Sequence, residues 1–287
     1  MASPQFDGSP SSEPGSGALG ATGAPSVLDL VRLNPDPVFP PGGQALYRQL
    51  ALLTEIGAEH TVLEVACGRG LGTEFLAETT GAECYGLDPN PVLIQEAEQR
   101  IRASEHSDRV HFETGSLEDL PYRDEIFDVT IGGIGLAALA DPGAAVRELA
   151  RVTRPMGSVV LVQLIWTGNV DSARREELIA HLGARPLLLV EWKQLLRDVG
   201  VVELHVEDWS DYASPFRPSL PRPFRDISEI LSLRQKAQIL HRAFRRWGWR
   251  GVRGAVMREI EIHRLLTRER VLGLSLIRGT KWEPTEE

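Results

Sequence analysis

The segment Glu64-Val-Ala-Cys-Gly-Arg-Gly70 constrains the fold more than any other in this chain. It joins an apolar run, Thr61-Val-Leu-Glu-Val65, to a helical pattern through glycines at 68, 70 and 72. Glycine is required where φ must be positive or where a side chain would block close approach, and a helix start offers N–H groups to an anion. A dinucleotide fingerprint, G-x-G-x-x-G, would need glycine at position 73, where this chain has Thr73. Glu64 sits inside the apolar run, where an unpaired carboxylate is costly to bury, so it is expected to have a partner there. A second run, Glu83-Cys-Tyr-Gly-Leu87, ends in Asp88, and a carboxylate in that position can accept both hydroxyls of a ribose. Each element also has a plainer reading. Glycine-rich strand-to-helix turns occur without ligands, Glu64 can cap a local turn, and Asp88 before Pro89 can open one.

From Thr61 onward, short apolar runs alternate with helical periodicity. Helices are expected over 71–78, over 91–103 with Ile94, Ala97 and Ile101 inward, and over 142–152. Such alternation implies a parallel sheet with helices on both faces, a doubly wound α/β fold. Before it, Phe39-Pro-Pro-Gly-Gly43 reads as a turn into a helix over 44–56, with Leu46, Leu50 and Leu53 on one face.

The ordered segments resemble class I S-adenosylmethionine-dependent methyltransferases, of the small-molecule type found in ubiquinone and menaquinone biosynthesis. The resemblance runs over about 46–278 and is densest over 61–162. Tyr85-Gly-Leu-Asp-Pro-Asn-Pro91 is similar to the second motif of that family, with Asp88 as the ribose ligand. Val110-His-Phe-Glu-Thr-Gly-Ser-Leu-Glu-Asp-Leu-Pro121 is similar to the third strand and following turn, where Ser116 stands at a position at which many members carry aspartate. Phe127-Asp-Val-Thr-Ile-Gly132 matches the fourth strand, and Glu148-Leu-Ala-Arg-Val-Thr-Arg-Pro-Met-Gly157 matches the helix end and turn before the fifth. The resemblance implies a seven-stranded Rossmann-like sheet with an antiparallel last strand. It also implies that Glu64, Ala66, Gly68, Gly70, Asp88, Pro89, Ser116, Leu117 and Gly132 surround S-adenosyl-L-methionine.

Glu191-Trp-Lys-Gln-Leu-Leu-Arg-Asp-Val-Gly200 and the run over 201–207 resemble the family's last helix and sixth strand, and 270–277 its closing strand. These two strands normally form a near hairpin, yet here about 60 residues lie between them. The expected organisation is therefore a disordered Gly/Pro/Ser/Ala-rich tail over 1–26, a methyltransferase domain over 27–208 plus 270–280, and a helical cap over 209–269 that roofs the substrate pocket. Within the cap, Pro215, Pro218, Pro221 and Pro223 make an extended lead-in. Two amphipathic helices, 226–247 and 252–267, are expected to split at Gly248-Trp-Arg-Gly251. Ile227, Ile230, Leu231, Leu240, Phe244 and Trp247 would line the first; Val252, Val256, Ile260, His263 and Leu266 would line the second.

Charge is distributed unevenly. Residues 222–270 carry 13 Lys plus Arg against 5 Asp plus Glu, a net of +8 in a chain of net −9, so the remainder is −17. The basic cap reads as a solvated face paired with an acidic body, or as a peripheral contact to an anionic membrane. Nucleic acid is not an expected partner, because the acidic body repels phosphates and stacking residues are sparse. No segment approaches the roughly 20 apolar residues of a transmembrane helix. The N-terminal composition fits neither a secretory signal nor an Arg-rich transit peptide. Cys67 and Cys84 have neither disulfide nor zinc spacing, are expected as reduced thiols in a cytoplasmic protein, and do not read as nucleophiles.

Methyl transfer from a sulfonium needs alignment and exclusion of water, and a base only when the acceptor proton has a high pKa. Where many relatives carry histidine after the fourth strand, this chain has Ala137 and Ala138. No catalytic residue is assigned. His241 and His263 in the cap are the candidate bases, and Trp166 is a candidate wall of the substrate pocket. Two other readings stand beside the methyltransferase: a cofactor-binding homologue without catalysis, and an NAD(P)-dependent oxidoreductase.

Overall fold

The computed structural model describes residues 33, 39–168, 170–210, 233–264 and 271–282. Strands β1 (Thr61–Val65), β2 (Glu83–Asp88), β3 (Val110–Thr114), β4 (Phe127–Gly132), β5 (Thr153–Trp166), β6 (Leu187–Leu188), β7 (Val201–Asp208) and β8 (Leu272–Lys281) form one sheet. Its order is β3-β2-β1-β4-β5-β8-β7, with the two-residue β6 added beside the end of β5. Strands β1 to β5 pair in parallel, whereas β8 runs antiparallel to both β5 and β7. The expected seven-stranded architecture is therefore present.

Helices α1 (Gly43–Leu53), α2 (Leu71–Thr80), α3 (Pro91–Ile101), α4 (Pro142–Val152), α5 (Ser172–Leu182) and α6 (Leu189–Asp198) cover the sheet. Two cores result, because alternate strand residues point to opposite faces. Val62, Val129 and Val160 meet Leu46 and Leu50 of α1 and Phe75 and Leu76 of α2. Leu63, Val65 and Leu161 meet Val146 and Leu149 of α4 and Trp192 and Leu196 of α6. Burial on both faces explains why these strands read as nearly continuous apolar runs.

Several boundaries differ from the sequence-based expectation. The stretch over 153–157 was expected as a turn but belongs to β5: Thr153 pairs with Phe127, Met156 has φ 62°, and the register shifts before Ser158 meets Val129. Two steps along β4 oppose five along β5, so this irregularity holds three extra residues, with Met156 at positive φ among them. The closing strand begins at Leu272 and continues to Lys281 because β7 supplies partners as far as Val201. Helix α5 and strand β6 had no counterpart in the expectation, since α5 buries only two residues, Leu178 and Leu182.

Helix α7 (Leu233–His263) lies in the insertion between β7 and β8 and bends at Gly248, whose φ of 65° and ψ of −161° are not helical. The expected split at that glycine is thus a kink in one element. The N-terminal tail, the proline-rich lead-in, the start of the first cap helix and Leu266 lie outside the described residues.

Candidate active site

Strand order reverses between β1 and β4, so the loops leaving these strands diverge and open a crevice at the carboxyl edge of the sheet, the usual ligand position in this architecture. The β1 loop is held from several sides. Cys67 N–H donates to the Leu87 carbonyl at 3.2 Å, and Gly68 N–H donates to Asp88 Oδ2 at 2.9 Å. Gly70 N–H closes the turn onto the Cys67 carbonyl at 2.9 Å. From α3, Arg100 donates Nη2 to the Arg69 carbonyl at 2.5 Å and Nε to Glu74 at 2.7 Å. Ala66 has φ 55°, a left-handed conformation that a non-glycine residue adopts at a cost.

The three glycines of the turn are not equivalent. A Cβ on Gly70, at φ 69°, would stand 2.2 Å from the Phe112 ring, and one on Gly72 would stand 2.3 Å from the Tyr47 ring. Both glycines make room for aromatic neighbours. Gly68, at φ 59°, has nothing within 4 Å of that position, and its open side is where a ligand can lie against the backbone. The residues present therefore fit a nucleoside-bearing cofactor along the crevice.

Glu64 has the partner its burial demands. Only 2% of its surface is exposed. Tyr47 Oη donates to Oε1 at 2.5 Å and Thr73 Oγ1 donates to Oε2 at 2.6 Å. Burial raises the Glu64 pKa above the ordinary carboxylate value, opposed by the hydroxyls of Thr73 and Tyr47 and by the Thr73 backbone N–H. Glu64 thus braces the start of α2 and ties it to α1 through both of its carboxylate oxygens. Burial, then the neighbouring Glu64 charge, raises the Tyr47 pKa in turn.

Asp88 ends β2 beside the turn, and its other oxygen accepts the Asn90 N–H at 2.9 Å. Pro89 next to it is exposed. Ser116 is also exposed, and its hydroxyl accepts the Glu118 N–H at 3.1 Å in a local turn. Leu117 is buried in the α4-side core, so its side chain does not line an open site. Gly132 is buried against Leu136 and Leu161, and its carbonyl accepts from Gln163 Nε2 at 3.0 Å. The same amide donates to the Gly133 carbonyl at 2.7 Å, while Gln163 Oε1 is buried with no hydrogen-bond partner. Gln163 therefore sets the direction of both carbonyls in the β4 loop. In the sequence it is a single polar residue within the apolar run 159–166, and that polar break is the available signal.

The substrate-side candidates do not converge. Trp166 packs with Val170, Leu178 and Leu272 beneath α5, with the Arg175 guanidinium 5.4 Å above its ring, so it is core and not an exposed wall. His241 is exposed on α7. His263 ends that helix, and its side chain lies outside the described residues. Ala137 is buried in the short 3-10 turn Ile134–Ala138, where its carbonyl accepts the Arg185 N–H at 2.6 Å. Among the described residues there is no cluster of metal-ligating side chains.

Burial, followed by the Glu64 and Asp88 charges, raises the Cys67 thiol pKa, and burial chiefly raises that of Cys84. Thiolate is the reactive form, so both cysteines should resist iodoacetamide in the native protein at neutral pH and react once guanidinium unfolds it. Rapid native labelling of Cys67, followed by peptide mass spectrometry, would contradict this.

Residues 63–161 match a family described as a methyltransferase domain. Methyltransferase GfsG of Streptomyces halstedii is 29% identical over 182 residues, which cover 62% of this chain and 66% of that protein. A probable chloroplastic tocopherol O-methyltransferase of Oryza sativa subsp. japonica is 25% identical over 212 residues, covering 70% of this chain and 56% of its own length. The chain thus spans somewhat over half of these relatives. Among solved structures, the [4+2]-cyclase SpnF superposes with a TM-score of 0.64 at 20% identity, covering 83% of this chain and 80% of that one. Over residues 63–161 this chain is therefore similar to methyltransferase domains, and its strand order and glycine turn are those of the class I S-adenosylmethionine-dependent methyltransferase fold.

Proposed function

We propose that the protein transfers a methyl group from S-adenosyl-L-methionine to a small, partly apolar acceptor, such as a quinone-like ring, a polyketide or an isoprenoid. The observation that carries this reading is the open side of Gly68 beside the Asp88 carboxylate. That pairing offers backbone to the cofactor's chain and a charged acceptor to its ribose. The cofactor supplies an activated methyl group; the protein supplies orientation. Asp88 fixes the ribose, Gly68 admits the cofactor's backbone-facing side, and Gln163 holds the Gly132 and Gly133 carbonyls toward a positively charged amino end. With alanines at 137 and 138, alignment and exclusion of water account for the rate in this reading.

The cap over 209–269 forms the acceptor side of the pocket in this proposal, because its flanking strands, β7 and β8, bound the insertion. The buried, unpaired thiols support a cytoplasmic location. A second reading, a homologue that binds the cofactor without transfer, is favoured by the same two alanines and by the likeness to a fold neighbour named as a cyclase.

Incubating a cell extract with deuterated-methyl S-adenosylmethionine and the full chain, then searching untargeted mass spectra for products that gain the label, tests the assignment. New labelled products are expected. Tight cofactor binding with no labelled product across broad extracts would favour the non-catalytic reading, and binding of NAD(P) alone in calorimetry would favour an oxidoreductase.

A further inference from the structure

Apolar residues along one side of α7 are exposed. Leu233 is 83% exposed and Phe244 44%, and Leu240 lies between them at the spacing i, i+7, i+11 that puts residues on one helix face. Beyond the kink, Trp249, 76% exposed, Val256 and Ile260 repeat the same spacing, with Met257 beside them. In a straight helix Trp249 would stand about 140° around the axis from Phe244. The bend at Gly248 instead brings the two rings to 5.3 Å between centroids at 67°. Gly251 lies against Trp247, where a Cβ would meet the Trp247 Cβ at 2.3 Å. The kink therefore joins the two apolar stripes at their ends.

Charge accompanies the stripes. Helix α7 carries eight Lys plus Arg and two Glu, in a chain of net charge −9. Arg234 and Arg245 are exposed about 100–120° from the first stripe, and Arg253 lies within the second face, between Trp249 and Val256. An apolar stripe edged by arginines, with aromatic rings at its centre, has the form of a helix lying in the interface of an anionic bilayer. A second copy of the same basic face would be repelled, and nucleic acid would leave the apolar stripes without a partner. No described helix is long and apolar enough to cross a membrane.

We infer that α7 docks the protein peripherally on an anionic phospholipid membrane, with Phe244 and Trp249 entering the interface. The inference does not depend on methyl transfer, and its test reads a different quantity. The full chain is mixed with vesicles of pure phosphatidylcholine and with vesicles containing 30% phosphatidylglycerol, and binding is read by flotation and by tryptophan emission. At least tenfold tighter binding to the anionic vesicles is expected, weakening as salt rises. Phe244→Asp should reduce that binding at least tenfold, as should the double change Arg234→Ala and Arg245→Ala. All three substitutions are on the exposed surface and should leave cofactor affinity unchanged, which verifies folding. Equal affinity for both vesicle types, or binding indifferent to Phe244→Asp, would overturn the inference. A dimer in solution abolished by Phe244→Asp, without vesicle binding, would assign the face to a second copy instead. Equally tight binding of RNA that ignores Phe244→Asp, again without vesicle binding, would show that basic charge alone is read and would also overturn it.

Discussion

Gly70→Ala should unfold the domain readily, whereas Gly68→Ala should leave it folded but poor at binding S-adenosylmethionine. Both glycines have positive φ, 69° and 59°, so each substitution carries a left-handed penalty of roughly 1–2 kcal/mol. Their surroundings then separate them. The new methyl at position 70 would overlap the Phe112 ring at 2.2 Å, and that ring also packs close to Gly86, where a Cβ would be 2.6 Å from it. Overpacking of this kind adds roughly 1–3 kcal/mol, a large share of the roughly 5–15 kcal/mol that stabilises a typical domain. A fall in Tm of roughly 10 °C is expected in calorimetry for Gly70→Ala. The methyl at position 68 projects into open space, so its thermal cost should be a few degrees, while the proposed cofactor contact predicts a Kd raised at least tenfold. Equal stability losses for the two variants, or unchanged affinity for Gly68→Ala, would remove the basis for assigning Gly68 to the cofactor.

Asp88→Ala should raise the cofactor Kd by about a hundredfold or more. Two charge-assisted hydrogen bonds to a ribose contribute roughly 1.5–3 kcal/mol each, and their loss alone accounts for that factor. The side chain also organises the turn, accepting the Gly68 and Asn90 N–H groups at 2.9 Å each, so part of the loss should arise from a looser loop. Asp88→Asn separates the contributions: its amide oxygen can still accept from one N–H while the charge is gone, and an intermediate Kd is expected. Isothermal titration with S-adenosylhomocysteine measures all three proteins under one condition. An Asp88→Ala protein that binds as tightly as the wild type would end the ribose assignment.

The neutralised Glu64 is the natural control for these variants. Its folded pKa is raised chiefly by burial, so ionising it in the folded protein is disfavoured relative to the unfolded chain. The sign follows directly: its contribution is most favourable below the unfolded carboxylate pKa and declines as pH rises from there through the folded value. Glu64→Gln should therefore flatten the pH dependence of stability in that window, measured by denaturant titration at a series of pH values. An unaltered pH profile would show that Glu64 has the same pKa in both states.

The sheet was readable because β1, β2, β4 and β5 are buried on both faces and so appear as apolar runs between helical periods. The bulge at Met156 was not, since a positive φ at methionine has no signature in residue type. Helix α5 was hidden for a different reason: with two buried residues it has almost no apolar period to detect.

Within the site, residue type alone determined that a glycine-rich turn follows β1, that Thr73 departs from the dinucleotide pattern, that a carboxylate stands at the end of β2, and that Glu64 needs a partner. Only the tertiary structure decided which glycine keeps an open side. Gly68, Gly70 and Gly72 share one turn, and their difference lies in Phe112 and Tyr47, brought in from β3 and α1. Likewise the partner of Glu64 lies 17 residues earlier on another helix, and the residue that orients Gly132 lies 31 residues later on another strand. Local periodicity encodes what a segment forms and which of its faces is apolar. Which groups then meet across elements depends on packing between segments distant in the chain, and that packing decides the neighbours of these residues.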